Sequence, residues 1–227
     1  MLSIVIPTYN EEKYLPSLLN SIKKQDVQCE IIVADNNSRD RTKVIAKKYK
    51  CRIAQGGIPA RAKNNGAKKA RYDLLFLDAD VVLPEHFLKN FLNKIKHLDY
   101  ASCRVEPLSN NSHYKFYYML KNLGDLIFPN HILGQCIYIK KRLFNQINGF
   151  DEFLLFGEEH DLVRRAKKFG KGELFMNLYV FNYPRRLEKE GTYRTLAKDI
   201  YSEIYRFFRS KRYPPYRKKY GHYSGKI

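Results

Sequence analysis

Regular alternation of apolar runs with helix-patterned segments constrains this chain more than any other feature. Leu-Ser-Ile-Val-Ile at residues 2–6 predicts a strand ended by Pro7, and Leu15, Leu18, Leu19 and Ile22 then recur at helical spacing. Glu-Ile-Ile-Val-Ala-Asp predicts a second strand ending at Asp35, followed by a helix from about Asp40, its cap, to Tyr49. Cys-Arg-Ile-Ala is a short third strand, broken by Gly56-Gly57, and residues 59–71 read as a helix. Asp-Leu-Leu-Phe-Leu is the fourth strand. Pro84 stands where a first helical turn tolerates proline, and Phe87, Leu88, Phe91, Leu92 and Ile95 give one apolar face. Strands that are apolar throughout are expected when helices cover both faces. The pattern predicts an α/β fold with an open, mostly parallel sheet. Ligands of such sheets bind beyond the carboxyl ends of the strands. Asp35, Asp78 and Asp80 all fall there.

The second half is less regular. Ala-Ser-Cys-Arg-Val-Glu and Gln-Cys-Ile-Tyr-Ile-Lys read as strands separated by a helical or loop stretch rich in Tyr and Phe. Residues 157–170 predict a helix opened by acids and closed by glycine. Residues 173–181 read as one or two strands, and 192–208 carry apolar residues at helical spacing. With 44% hydrophobic residues the chain can bury a core, and no apolar run approaches the roughly 18 residues needed to span a bilayer. The first ten residues read as a strand and turn, not as a leader, and the four scattered cysteines form no CxxC pair. Both favour reduced core thiols and a cytoplasmic location.

Asp78 and Asp80 point the same way in an extended segment. Two like charges held together need a cation or a shared proton, and carboxylate oxygens suit Mg²⁺ or Mn²⁺. Taken by themselves, the two residues favour the plainer reading, a turn before the Pro84 helix. Asp35 could accept hydrogen bonds from a base or ribose, or close a turn with Asn36, Asn37 and Ser38. Arg61 and Lys63, at a helix start, could meet phosphate or form a solvated basic face.

Taken together, Ser-Ile-Val-Ile-Pro-Thr-Tyr-Asn-Glu-Glu, Ile-Ile-Val-Ala-Asp-Asn-Asn-Ser, the segment from Ala60 to Asp80, and Gly149 to Lys171 resemble a family 2 glycosyltransferase of the GT-A fold. A block from Pro184 to Thr195 extends the resemblance. The resemblance implies a mixed sheet with a Rossmann-like first half. It divides the chain into a single domain at 1–208, with a nucleotide-sugar half at 1–105, an acceptor half at 106–190 and an amphipathic helix at 191–208. Pro7, Thr8, Tyr9, Glu11, Asp35, Arg61 and Asp78 match positions that hold the nucleotide sugar. Asp80 matches the metal ligand, for Mn²⁺ or Mg²⁺. Glu159 matches the catalytic base, one methylene longer than the usual aspartate, with Asp161 as the fallback. Glu158, Gly134 and Gln135 match acceptor-site positions. The implied reaction moves a sugar from a nucleoside-diphosphate sugar to an acceptor hydroxyl with inversion. The acceptor would be a glycan or a lipid-linked molecule. Some members place a histidine after the last core strand; here Asn182 and Tyr183 stand in that region. Arg185 and Arg186 nearby could help with phosphate.

A net charge of +19 favours anionic partners, and no acid follows Glu203 while Arg209, Lys211, Arg212 and Arg217 do. Residues 209–227 form a basic, aromatic tail suited to peripheral contact with an anionic membrane, on its inner face. Two rivals fit less of the chain. A haloacid-dehalogenase-type phosphatase would put Asp78 on its first strand, and three strands precede it here. A non-enzymatic nucleic-acid or membrane-binding protein would explain the charge but not the ordered carboxylates. Nucleic acid is not expected as a partner.

Overall fold

The chain is described by a computed structural model over residues 1–127, 134–154 and 157–208. Strand β1 (Leu2–Thr8) runs through Pro7 instead of ending there. Strand β4 (Asp73–Leu77) registers with β1 only from Leu2 to Val5, so Pro7 has no ladder partner on that side to deprive of a bond. On the other side β2 (Cys29–Asp35) stays in register to the end, with Thr8 opposite Asp35. Strand β3 (Arg52–Gln55) adds to β2, and all four strands are parallel.

Helices α1 (Leu15–Lys23), α2 (Thr42–Lys48) and α3 (Pro59–Lys69) supply the crossovers, and α4 (Phe87–Lys94) packs on the same core. Asp40 sits two residues ahead of α2 and accepts from the Thr42 N–H at 3.0 Å, so the helix starts later than its acid suggests. Successive β1 side chains alternate between two cores. Leu2, Ile4 and Ile6 pack with Leu15, Leu18, Leu19, Phe87 and Phe91; Val5 packs with Ala60, Ala67 and Phe76. The approach of α3 to β1 needs a glycine, because a Cβ on Gly66 would lie 2.3 Å from Val5 Cγ1.

Four further strands complete one mixed sheet of order β3-β2-β1-β4-β7-β6-β8-β5. They are β5 (Val81–Val82), β6 (Tyr100–Pro107), β7 (Cys136–Ile139) and β8 (Gly172–Asn182). Residues 173–181 therefore belong to one strand, whose pairing with β6 shifts register between Cys103 and Arg104. The two-residue β5 pairs with the end of β8, Val81 opposite Asn182. That short pairing brings the C-terminal half back onto the loop after β4. Helices α5 (Ser112–Ile127), α6 (Lys141–Gln146), α7 (Glu158–Ala166), α8 (Arg185–Glu190) and α9 (Thr192–Phe208) fill the remaining connections. Among the described residues no helix is long and apolar enough to cross a membrane. The basic tail lies outside the described residues.

Candidate active site

Five carboxylates and two cations meet at the carboxyl ends of β1 and β4. Lys63, on the inner face of α3, is buried, and its Nζ lies 3.2 Å from Glu158 Oε1 and in hydrogen-bond contact with Glu159 Oε1. The ring of Phe150 lies 5.1 Å from the same ammonium. Glu158 and Glu159 open α7, where a positive helix end favours acids. Burial opposes the charge of both. The Lys63 ammonium outweighs burial at Glu159 and holds that carboxyl below its usual range. At Glu158 burial and the Glu159 charge win, and its carboxyl is pushed well up. Burial works against the Lys63 ammonium, but the charges of Glu159, Glu158 and Asp78 outweigh it and keep Lys63 a firm cation.

Asp78 lies between this group and a second one. Burial raises its carboxyl against the pull of Lys63, with Asp80 and Glu159 adding to the rise. Asp80 belongs to the second group. Its Oδ1 accepts from Asn182 Nδ2 at 2.9 Å and its Oδ2 pairs with Arg185 Nε at 2.8 Å. Arg185 also holds Glu11 with one nitrogen shared between both oxygens, at 2.9 and 2.8 Å. Burial pushes Glu11 up to about 7 despite that pairing. Tyr118 of α5 donates to Asn182 Oδ1 at 2.5 Å, so α5 buttresses the group from behind.

Asp35 sits a short way along the edge. It accepts from Thr8 Oγ1 at 3.2 Å, from the Ser38 N–H at 3.0 Å and from Ser38 Oγ at 2.5 Å. The turn with Ser38 is therefore formed, and Thr8 is bound into it. Pro7 and Tyr9 flank Thr8, buried and half-buried respectively. Gly134 lies directly on Glu159, since a Cβ there would come within 2.6 Å of Glu159 Oε1. Gln135 accepts from the Asp78 N–H with its backbone carbonyl at 3.3 Å, and its side-chain Oε1 is buried with no hydrogen-bond partner among the described residues.

Two expected residues are not brought into this cluster. Arg61 pairs with Glu152 at 2.9 Å on a side chain more than half exposed. Lys63 takes the interior position because α3 turns residues 60, 63 and 67 inward together. Asp161 turns both oxygens to arginines of its own helix, Arg164 at 2.5 Å and Arg165 at 2.7 Å. Arg165 in turn clamps the Gly149 carbonyl at 2.7 Å. Asp161 thus braces the turn before α7, while Glu159 faces the site. The lysine at an apolar helix position was the one available signal for Lys63. The pairing of Arg185 with Glu11 and Asp80 left none in the spacing.

Among the described residues no three His, Cys, Asp or Glu side chains gather as a metal cage. The cluster still fits a divalent cation carried in with a diphosphate. Glu11, Asp78, Asp80, Glu158 and Glu159 outnumber Lys63 and Arg185, and Asp80 offers a hard oxygen donor. A cation at that donor would have to displace Arg185 Nε.

The sequence and the described fold match known proteins. The model of the family Glycosyl transferase family 2 matches residues 3–154, and the chain belongs to that family. The phosphatase reading is thereby set aside. A Staphylococcus aureus poly(ribitol-phosphate) beta-N-acetylglucosaminyltransferase, TarS, is 35% identical over 100 residues, covering 39% of this chain and 18% of the relative. An uncharacterized glycosyltransferase of Rickettsia typhi is 31% identical over 182 residues, covering 71% and 57%. The structure of TarS residues 1–349 with UDP-GlcNAc superposes with a TM-score of 0.67 at 24% identity, covering 80% of this chain and 58% of that one. A Pyrobaculum calidifontis mannosyltransferase solved with GDP-Man and Mn²⁺ gives 0.64 at 18% identity, covering 88% and 64%. The fold is the mixed GT-A sheet of these neighbours. The chain spans between about a fifth and three fifths of the length of these two curated relatives.

Proposed function

We propose that the protein transfers a sugar from a nucleoside-diphosphate sugar to an acceptor hydroxyl with inversion, using Glu159 as base. The observation that carries this reading is the Lys63-held Glu159 facing the Asp78–Asp80 segment across the sheet edge. Residues 1–105 form the donor half and 106–190 the acceptor half. Pro7, Thr8, Tyr9, Asp35 and Asp78 line the nucleotide side. Glu11 keeps Arg185 at that edge, ready to meet phosphate.

Asp80 would hold Mn²⁺ or Mg²⁺, which when bound offsets charge on the departing diphosphate. The rest of the chemistry belongs to the chain. The acceptor oxygen attacks the anomeric carbon from the face opposite the diphosphate. The bond from that carbon to the diphosphate oxygen breaks, and its electron pair leaves with the nucleotide. The acceptor proton passes to Glu159. Lys63 keeps Glu159 ionised and also lowers its basicity, so the pair must loosen as the hydroxyl arrives. Glu158 Oε1, 3.2 Å from the ammonium, goes on accepting from Lys63 at that moment. Gln135 Oε1, buried and unpartnered, can accept from an acceptor hydroxyl. A glycan or lipid-linked acceptor suits the reading; the TarS relative is named for poly(ribitol phosphate).

A thermal-shift panel of sugar nucleotides with and without Mn²⁺ tests the proposal. A true donor at about 100 times its dissociation constant adds roughly 2.7 kcal/mol of stability. If no sugar nucleotide shifts the melt in either condition, the transfer reading fails. Glu159→Gln should keep the donor shift and lose product; retained product formation would remove Glu159 as base.

A further inference from the structure

Helix α5 is built inside out. Its inward side carries Tyr117, Tyr118, Asn122 and Asp125, all buried. These side chains serve the interior as hydrogen-bonding groups. Asn122 bridges the Val105 N–H and carbonyl at 3.0 and 2.9 Å, and Tyr117 donates to Asp199 at 2.6 Å. Its outward side carries Phe116, Met119, Leu123, Leu126 and Ile127, each between 46 and 61% exposed. These recur at three- and four-residue spacing, which is one face of a helix. An ordinary surface helix shows the reverse arrangement. An apolar stripe of this kind on a soluble surface marks a contact site.

The charge around the stripe selects the partner. Lys115 lies exposed on α5, Lys121 turns to Asp199 at 3.5 Å, and the one acid of the helix, Asp125, is turned inward. At its N-terminal end Tyr193 of α9, itself exposed, touches His113 at 3.2 Å and extends the surface with an aromatic ring. Apolar residues edged by lysine and tyrosine, without an outward carboxylate, suit the headgroup layer of an anionic bilayer. A second copy of the chain is disfavoured, because each carries +19.

We infer that the outer face of α5 is a docking surface for an anionic lipid bilayer. The same helix reaches the candidate site through Tyr118 and Asn182. Docking would therefore fix the orientation of the acceptor side relative to the lipid surface. Lipid binding is measured without donor, so its failure leaves the transfer reading untouched.

The chain contains no tryptophan, so one introduced tryptophan is a unique fluorescent probe. Leu123→Trp in the full chain should shift its emission to shorter wavelength on adding phosphatidylcholine vesicles that contain phosphatidylglycerol. It should shift little with pure phosphatidylcholine. Val44→Trp, at an exposed position on α2, should not respond to either. Met119→Glu with Leu123→Glu should weaken vesicle binding at least about tenfold while leaving the melting temperature in place. Binding to anionic vesicles with a silent probe at position 123 would overturn the inference in favour of the tail. An equal response at position 44 would overturn it in favour of unspecific adsorption. Light scattering that shows a dimer, dispersed by the double substitution, would assign the face to a second copy instead.

Discussion

Taking the ammonium from Lys63 leaves Glu158 and Glu159 facing each other with no cation between them. Lys63→Met is expected to cost about 3–5 kcal/mol in urea unfolding, the range for a buried pair that loses one partner. It should also raise the Glu159 carboxyl from its lowered position. The acid limb of the turnover–pH profile should then move to higher pH, whereas a purely structural lysine would leave that limb in place. Arg185 makes a different prediction. Because it occupies Asp80 Oδ2, Arg185→Gln should let Mn²⁺ bind more tightly in the absence of nucleotide. Titration calorimetry of both proteins checks this, and equal affinities would mean that Arg185 does not compete. Asp80 and Glu159 were legible in the sequence because they stand in ordered motifs. Their cationic partners were not, since the Lys63–Glu159 contact spans 96 residues and the Arg185–Glu11 contact 174. Spacing along a chain carries no record of such pairings.

Elements were legible where hydrophobic periodicity was long enough to count. The four parallel strands and their helices follow the expected order, and so do α7 and α9. Strand β5 was not legible, because two valines cannot display an alternation. Pro7 misplaced the end of β1, because the rule against proline in strands assumes partners on both sides. Where α3 crosses β1 the packing leaves no room for a side chain at Gly66. Gly66→Ala should destabilise the fold by about 1–3 kcal/mol, as an added methyl group must displace Val5. Adding Val5→Ala should return part of the loss, measured as a double-mutant cycle in urea. Strict additivity of the two changes would mean that the contact is not the cause.

For the whole molecule, the gathered acids give stability a direction in pH. Glu11, Asp78 and Glu158 each hold a proton more firmly in the folded chain than an ordinary carboxyl does. Between the ordinary range near 4.5 and the folded value of Glu11 near 7, the folded state binds more protons than the unfolded one. Stability therefore falls as pH rises through that window. Without metal, the melting temperature should be higher at about pH 5 than at about pH 8. Glu158→Gln should flatten the slope by removing one of the three groups, and an unchanged slope would rule Glu158 out as a source. Net charge was legible from composition, but its arrangement was not: the outward stripe of α5 emerges only when the helix is rotated against β6. The pairing of β5 with β8 bears on when activity can begin. Asp80 and Asn182 meet across 102 residues, a large loop whose closure is entropically slow. A nascent chain that has emerged only as far as β7 holds the aspartates but neither Asn182 nor Arg185. The ion-paired arrangement at Asp80 is therefore a late event in synthesis, and an interrupted chain carries the motif without the site.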